Sequence, residues 1–379
     1  MNTTSIIETN IEEPWLFTPG PLTTSATVKQ AMLHDYGSRD NTFINVNASI
    51  RDRLTGIING GDEFVCIPLQ GSGTFVVEAM IATLIPKTGK LLVLVNGAYG
   101  KRICKICDYH QRDYLVNETA EDEPVDLELL DKTLNADKAI THVVVVHCET
   151  TSGILNPVNA VASIVEKHNR HLMIDAMSAF GAIELDATKT RFSSVVASSN
   201  KCLEGVPGLG FCLVRKSDIE QCRGNCGSLS LDLYDQWGAM EKNAQWRFTP
   251  PTHVILAFSQ ALDEFDAEGG VKGRGARYRE NCEILMKGMT DMGFKPLLKS
   301  ELQAPIILTF HLPTDSNFDF QVFYDYLRER GYVIYPGKLT VADSFRVGCI
   351  GRLNAQHMQA VIDAIAEFLQ LKNINQSAA

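Results

Sequence analysis

From Glu63 onward the chain alternates short, unbroken apolar runs with longer stretches of helical period. EFVCIP (63–68), LLVLVN (91–96), THVVVVH (141–147), HLMID (171–175), SSVVASS (193–199) and the run at 211–215 have no sustained polar face. Such runs predict strands buried on both sides, mostly parallel to one another. Helices are predicted between them: in the stretch after Gly73, from Gly100 to Cys107, from Asp126 to Leu134 and from Pro157 to His168. The strand–helix–strand repetition predicts an α/β domain, a mostly parallel sheet flanked by helices, whose ligands sit beyond the carboxyl ends of the strands. After Phe258 the pattern changes to a long helical stretch through Met292, the run PIILTFHL (305–312), a helix near Phe320 to Arg330, FRVGC (345–349) and an amphipathic helix from Asn354. That part reads as a smaller α+β domain. Before all of this, a segment rich in proline and glycine, ending in FTPGPL, has no sustained period and reads as an arm lying on other elements. The expected division is an N-terminal arm over 1–24, a large domain over 25–264 and a small C-terminal domain over 265–379.

Charge narrows the picture. The 379 residues carry 35 Lys and Arg against 45 Asp and Glu, a net charge of −10, which argues against a general nucleic-acid binder with its basic face. With 45% hydrophobic and 21% charged residues the composition is that of an ordinary globular protein. No basic segment followed by an apolar one opens the sequence, and no run approaches the ~18 apolar residues of a membrane span, so a cytoplasmic location without membrane attachment is expected. Ten cysteines are scattered along the chain and read as reduced thiols, mostly in the core. Cys104 and Cys107 form a close pair worth testing as a redox or zinc site, but Cys222 and Cys226 are remote from it and no histidine pair accompanies them. Packing is the preferred reading, and no metal is expected.

Three features suggest chemistry when taken together. Gln70–Thr74 (QGSGT) follows an apolar strand and precedes a helix, so its small residues let backbone amides approach an anion. It is neither a Walker A loop nor a full dinucleotide fingerprint. Asp175 closes the strand run HLMID, and Lys201 lies just beyond the run 193–199. Singly, each has an ordinary explanation: a tight turn, a helix cap, a solvated lysine. Jointly they meet the needs of pyridoxal 5'-phosphate: a lysine for the Schiff base, an aspartate to keep the pyridine nitrogen protonated, and amides for the phosphate. Tyr99 in NGAYGKR is either a ring-stacking aromatic or a partly buried packing residue. Arg346, alternating with apolar residues in SFRVGC, offers a planar fork for a substrate acid or else snorkels to solvent. Arg39 in DYGSRD is a second candidate anion binder, with a surface salt bridge as its alternative.

The segments FTPGPLTT, DYGSRD, LQGSGTF, NGAYGKR, HCETTSG, IDAMSAFGA, SSNKCLEG, FTPPTH and SFRVGCIG occur in an order that resembles the fold-type I, class V aminotransferases. From about Trp15 to the C-terminal helix the chain resembles their 2-aminoethylphosphonate:pyruvate transaminase branch. LQGSGTF and HCETTSG are shared in outline with alanine:glyoxylate aminotransferases, and Tyr36 stands where the branch often has tryptophan. The resemblance implies a pyridoxal-phosphate-dependent transferase in which Lys201 is the Schiff-base lysine and Asp175 the pyridinium partner. It further implies that Ser72, Gly73 and Thr74 form the phosphate cup with Asn200 beside it. Tyr99 would stack on the ring, Thr150 would contact the ring hydroxyl, and Arg346 would bind the substrate acid, with Arg39 and the Gly20–Thr24 arm nearby. Thr249 would reach the phosphate of the other subunit in a homodimer with interfacial sites. The implied reaction takes the amino group from 2-aminoethylphosphonate to pyruvate in phosphonate catabolism. Its alternatives are an alanine:glyoxylate or serine:pyruvate aminotransferase of the same fold and, from another class, a cofactor-binding regulator without turnover.

Overall fold

The computed structural model describes residues 13–339 and 342–374, so the first twelve residues of the expected arm lie outside the described residues. Seven strands build the main sheet: β1 (Phe64–Gly71), β2 (Lys90–Val95), β3 (Asp113–Glu118), β4 (Ile140–Val146), β5 (His171–Asp175), β6 (Ser194–Ser198) and β7 (Gly208–Arg215). Their spatial order is β1-β7-β6-β5-β4-β2-β3, and all are parallel except β7, which runs against both of its neighbours. The sheet is buried on both faces, as the apolar runs predict. Leu92, Leu94, Val143, Val145, Leu172 and Ile174 point to one side, with helices Asn41–Ile57, Leu127–Ala136, Val158–Lys167 and Thr252–Ala267 packed over them. Leu91, Val93, Val95, Val144, Val146 and Met173 point to the other, under helices Gly73–Leu84, Ala98–Tyr109 and Leu233–Asn243. Each such side chain contributes about 1.5–3 kcal/mol by leaving water, and the strict alternation is the period-two signature of a strand with two apolar faces.

A second, three-stranded antiparallel sheet has the order β8 (Ile307–His311), β10 (Ser344–Gly348), β9 (Tyr335–Pro336). Helices Gly270–Asp291, Phe320–Glu329 and Ala355–Leu371 share a core with it. Its centre is aromatic: the Phe345 ring lies 5.5 Å from both Phe294 and Phe323. The chain turns at Gly269–Gly270, where both residues have positive φ, +99° and +64°; Val271 still packs on the core of the main sheet, and the helix joins the second core from Cys282 onward. All ten cysteines are free. Cys104 and Cys107 lie on helix Ala98–Tyr109, where burial pushes their thiols up to about 11 and about 12. Among the described residues no cluster of three His, Cys, Asp or Glu could hold a metal, and no helix is long and apolar enough to cross a membrane.

The arm is pinned along the smaller body. Trp15–Leu16 pairs in parallel with Tyr332–Val333, the Phe17 side chain is buried in the aromatic core, and the Phe17 and Thr23 carbonyls accept the Gly348 and Arg352 N–H groups, each at 2.9 Å. Gly348 has no room for more: a Cβ there would stand 2.5 Å from the Thr18 carbonyl oxygen. Gly348→Ala is therefore expected to push the arm off β10 and cost about 1–3 kcal/mol, the usual range for overpacking. The denaturant midpoint and limited proteolysis of the arm measure this, and an unchanged midpoint would show that the arm does not press on β10.

Candidate active site

The carboxyl ends of the parallel strands and the loops after them make one face of the main sheet. Asp175 is the last residue of β5, and Lys201 lies in the loop between β6 and β7. This loop is short because β7 returns antiparallel, so no helix carries the chain away from the ligand face. Ser72 stands at the N-cap of helix Gly73–Leu84 and makes no side-chain cap bond, which leaves the first N–H groups of that helix available to an anion. The helix start sits close against the Asp175 loop. A Cβ on Gly73 would lie 2.4 Å from the Met177 sulfur, a close approach that only glycine permits.

Two opposite charges, a buried Asp175 and a half-buried Lys201, lie here without forming an ion pair with each other. The Asp175 Oδ1 accepts the Met177 N–H at 3.0 Å within a turn; no helix starts between this strand and the next, so the helix-cap alternative is not met. Burial nevertheless pushes its carboxyl up to about 6, against the pull of that N–H, Arg102 and Lys201. The Lys201 Nζ donates to the Pro19 carbonyl at 2.7 Å. Burial draws its ammonium down to about 8; Arg346 and Arg102 act in the same direction, while Cys202 and Asp175 oppose it. The arm closes over this amine: Gly20 has φ +123°, and a Cβ there would fall 2.3 Å from Nζ.

Arg346 enters from β10, 5% exposed, with Nε donating to the Pro336 carbonyl at 3.1 Å and Nη1 to the Thr150 carbonyl at 2.9 Å. Thr150 itself is buried, beside Glu149. The Glu149 carboxylate, raised by burial, accepts the N–H of Tyr99 at 3.1 Å and the N–H of Thr151 at 3.2 Å. It thus ties the start of helix Ala98–Tyr109 to the loop that meets Arg346. A Cβ on Gly97 would lie 2.4 Å from this carboxylate. Above the Tyr99 ring sit two cations, the Arg102 guanidinium 4.7 Å and the Lys338 ammonium 5.2 Å from its centroid. Arg102 Nη1 also donates to the Thr74 hydroxyl at 3.1 Å. Asn200, half-buried next to Lys201, accepts the Ser198 hydroxyl at 2.9 Å.

Lys201, Asp175, Tyr99, Thr150, Arg346 and the Ser72–Thr74 turn therefore converge. Arg39 and Thr249 do not join them within one chain: they line a different cavity of about 420 Å³, with Trp246, Arg247 and Phe248. Arg102 and Glu149 are site residues that sequence reasoning missed. The signal for Arg102 was its spacing of three from Tyr99 on one helix, which puts both on the same face. The donor set fits pyridoxal phosphate. A desolvated carboxylate whose pKa has risen gains by meeting a pyridinium, a buried amine near neutrality can attack an aldehyde, and the helix start suits a phosphate.

Comparison with known proteins agrees with this reading. Residues 25–347 match the family model described as Aminotransferase class-V. A 2-aminoethylphosphonate–pyruvate transaminase of Pseudomonas fluorescens is 51% identical over 361 residues, covering 95% of this chain and 98% of that protein. One from Pseudomonas aeruginosa is 51% identical over 357 residues, covering 94% and 96%. Among solved structures, alanine–glyoxylate aminotransferase from Nostoc sp. superposes with a TM-score of 0.88 at 22% identity, covering 97% of this chain and 99% of that one. Pyridoxamine-pyruvate aminotransferase from Mesorhizobium loti gives 0.87 at 23% identity, covering 95% and 93%. At these identities the structures speak for the fold, a fold-type I α/β architecture.

The charge environment makes a direct prediction. In cofactor-free protein the Lys201 amine is expected to react with a small aldehyde, trapped by reduction and mapped by mass spectrometry, with a midpoint near pH 8 rather than the ordinary 10.5. The neutral amine is the nucleophile, so reactivity rises as pH passes upward through the midpoint. Because the Asp175 charge opposes the depression, Asp175→Asn is expected to move the midpoint lower still; a move upward would contradict the assignment.

Proposed function

The chain belongs to the class-V aminotransferase family, and from that premise we propose that it transfers the amino group of 2-aminoethylphosphonate to pyruvate, releasing phosphonoacetaldehyde and L-alanine. The observation that carries the reading is the convergence of a half-buried lysine, a buried aspartate and a buried arginine fork on the carboxyl edge of the sheet. The near-full-length identity to transaminases of that name supports the substrate pair.

When bound, pyridoxal phosphate supplies an aldehyde that takes up the amino group and a pyridine ring that withdraws electrons from the amine-bearing carbon. In this proposal Asp175 holds the proton on the ring nitrogen. Ser72, Gly73, Thr74 and Asn200 hold the phosphate, with Arg102 bracing Thr74. Tyr99 packs against the ring face, and Thr150 meets the ring hydroxyl. The Lys201 amine, kept near neutrality by burial, holds the cofactor at rest. The same amine would carry a proton from the substrate's amine-bearing carbon to the cofactor in the first half-reaction, and from the cofactor to the acceptor's carbon in the second. Arg346 binds the phosphonate in the first half and the pyruvate carboxylate in the second. Its guanidinium carries five N–H donors, and the carbonyls of Pro336 and Thr150 engage only two of them.

The same reading includes a homodimer in which Thr249 reaches the partner's phosphate and Arg39 the partner's substrate. Support comes from their shared surface cavity and from exposed apolar side chains, Leu33, Tyr36, Phe75, Leu229 and Phe248, of which Phe75 and Phe248 line one neighbouring cavity together with Thr249. The ten free thiols support a reducing cytoplasm as the location.

The deciding experiment is a coupled assay for phosphonoacetaldehyde formed from 2-aminoethylphosphonate and pyruvate, with L-alanine measured alongside. Lys201→Ala is expected to abolish both products. Arg346→Lys is expected to lower kcat/KM for both substrates by about ten- to hundredfold, the worth of one hydrogen bond to a charged group. Alanine or serine turnover without aldehyde from the phosphonate would reassign the enzyme to another amino donor.

A further inference from the structure

The loop that carries Lys201 is gripped by a helix of the other body. Glu204, three residues on, returns its N–H to the Lys201 carbonyl at 2.8 Å, with φ +57°. A non-glycine residue keeps that left-handed backbone only where its surroundings hold it. The Glu204 side chain is 2% exposed, and its Oε1 accepts the Tyr278 hydroxyl at 2.6 Å and Arg277 Nη2 at 2.7 Å. Arg274, fully buried, donates to the Cys202 carbonyl and, at 2.6 Å, to Glu268 Oε2. Glu268 Oε1 in turn accepts Arg277 Nε at 2.7 Å. Residues 274, 277 and 278 share one face of helix Gly270–Asp291, so three consecutive contacts of one face clamp the Lys201–Glu204 turn.

That face also holds the segment leaving β10. Arg277 Nη1 donates to the Gly351 carbonyl at 2.6 Å and the Leu353 carbonyl at 2.8 Å, and the Tyr278 hydroxyl accepts the Gly351 N–H at 3.1 Å. One turn on, Asn281 Nδ2 donates to the Cys349 and Leu353 carbonyls, both at 3.1 Å. Cys349 is three residues from Arg346. Two carboxylates and two guanidiniums balance in charge, yet Glu204 Oε2 and Arg274 Nη2 remain buried without a partner. A buried ion network of this kind is weak evidence for stability, since apolar packing of similar volume often does as well. What it supplies is fixed geometry between two segments that each carry a reacting or binding group.

We infer that Glu204, Arg277 and Tyr278 are positioning residues that set the placement of the Lys201 amine against the Arg346 fork. This rests on the transaminase reading above. Proton transfer by an amine tolerates little misplacement, and an error near 1 Å costs up to about a hundredfold in rate.

The test uses Tyr278→Phe, Arg277→Lys and Glu204→Gln with three measurements: the rate at which cofactor-free protein takes up pyridoxal phosphate, the rate and saturation constant of the half-reaction of the holoenzyme with L-alanine, and the melting temperature. The groups that face Lys201 electrostatically, Asp175, Arg102, Arg346 and Cys202, are unchanged in every variant. Uptake and the half-reaction rate are expected to fall roughly ten- to hundredfold, with the saturation constant for L-alanine little altered. Variants that melt earlier but keep the parental rates, or that change only the saturation constant, would overturn the inference. If Glu204→Gln does not fold, Tyr278→Phe decides, since it removes a single hydroxyl. A parent enzyme that takes up cofactor but does not convert L-alanine would defeat the transaminase reading, while the uptake rates would still judge the clamp.

Discussion

Desolvation of an ammonium and a carboxylate at the carboxyl edge of one sheet is the constraint on which the site depends. Lys201 and Asp175 are each bonded to backbone, the Pro19 carbonyl and the Met177 N–H, and not to each other. Had they paired, each would have stabilised the other's charge, giving an ordinary salt bridge with a high-pKa lysine and a low-pKa aspartate. Kept apart in a dry site, both move toward neutrality, to about 8 and about 6. That leaves the amine available to a carbonyl carbon and the carboxylate available to a cationic ring. The apolar sheet is what makes the site dry: Val146, Ile174 and Val196 underlie it, all essentially inaccessible.

The net charge of −10 then ceases to conflict with anionic substrates. Lys201, Arg102 and Arg346 converge inside a cleft of low dielectric, where their field is stronger than that of the scattered surface carboxylates. The Glu149 carboxylate beside them is engaged by the N–H groups of Tyr99 and Thr151, which oppose the upward push of burial on its pKa.

Much of this was legible in the chain, for identifiable reasons. β1, β2, β4, β5 and β6 are covered on both faces and so carry unbroken apolar runs. β3 was missed because it is an edge strand, where Asp113, Asn117 and Glu118 break the run and most side chains face outward. The direction of β7 was also missed, although the segment 199–207 is shorter than the dozen or so residues that a parallel crossover needs. Asp175 and Lys201 stood out only jointly with the QGSGT turn, because each alone has an ordinary explanation as a cap or a solvated lysine. Arg102 did not, because an arginine on a helix is ordinarily solvated, and only tertiary packing turns it toward Thr74. Arg39 and Thr249 stay apart from Lys201 within one chain and line another cavity, so nothing in their own sequence neighbourhood ties them to the strand-end pair.

Three ties between the bodies meet at the site, and each reaches a different group. The arm, held against β10 by the Phe17 carbonyl, brings Pro19 to the Lys201 amine. The loop after β4, held by Glu149, brings the Thr150 carbonyl to Arg346. Helix Gly270–Asp291 joins the Lys201 turn to the segment leaving β10. The Lys201 amine and the Arg346 fork come from opposite bodies and lie 145 positions apart in the chain, yet the same set of hydrogen bonds connects them. An anion drawn onto Arg346 acts on the same connected frame that aims the lysine. In the proposed reaction, recognition of the substrate acid at Arg346 and proton transfer by Lys201 would therefore be joined through one frame.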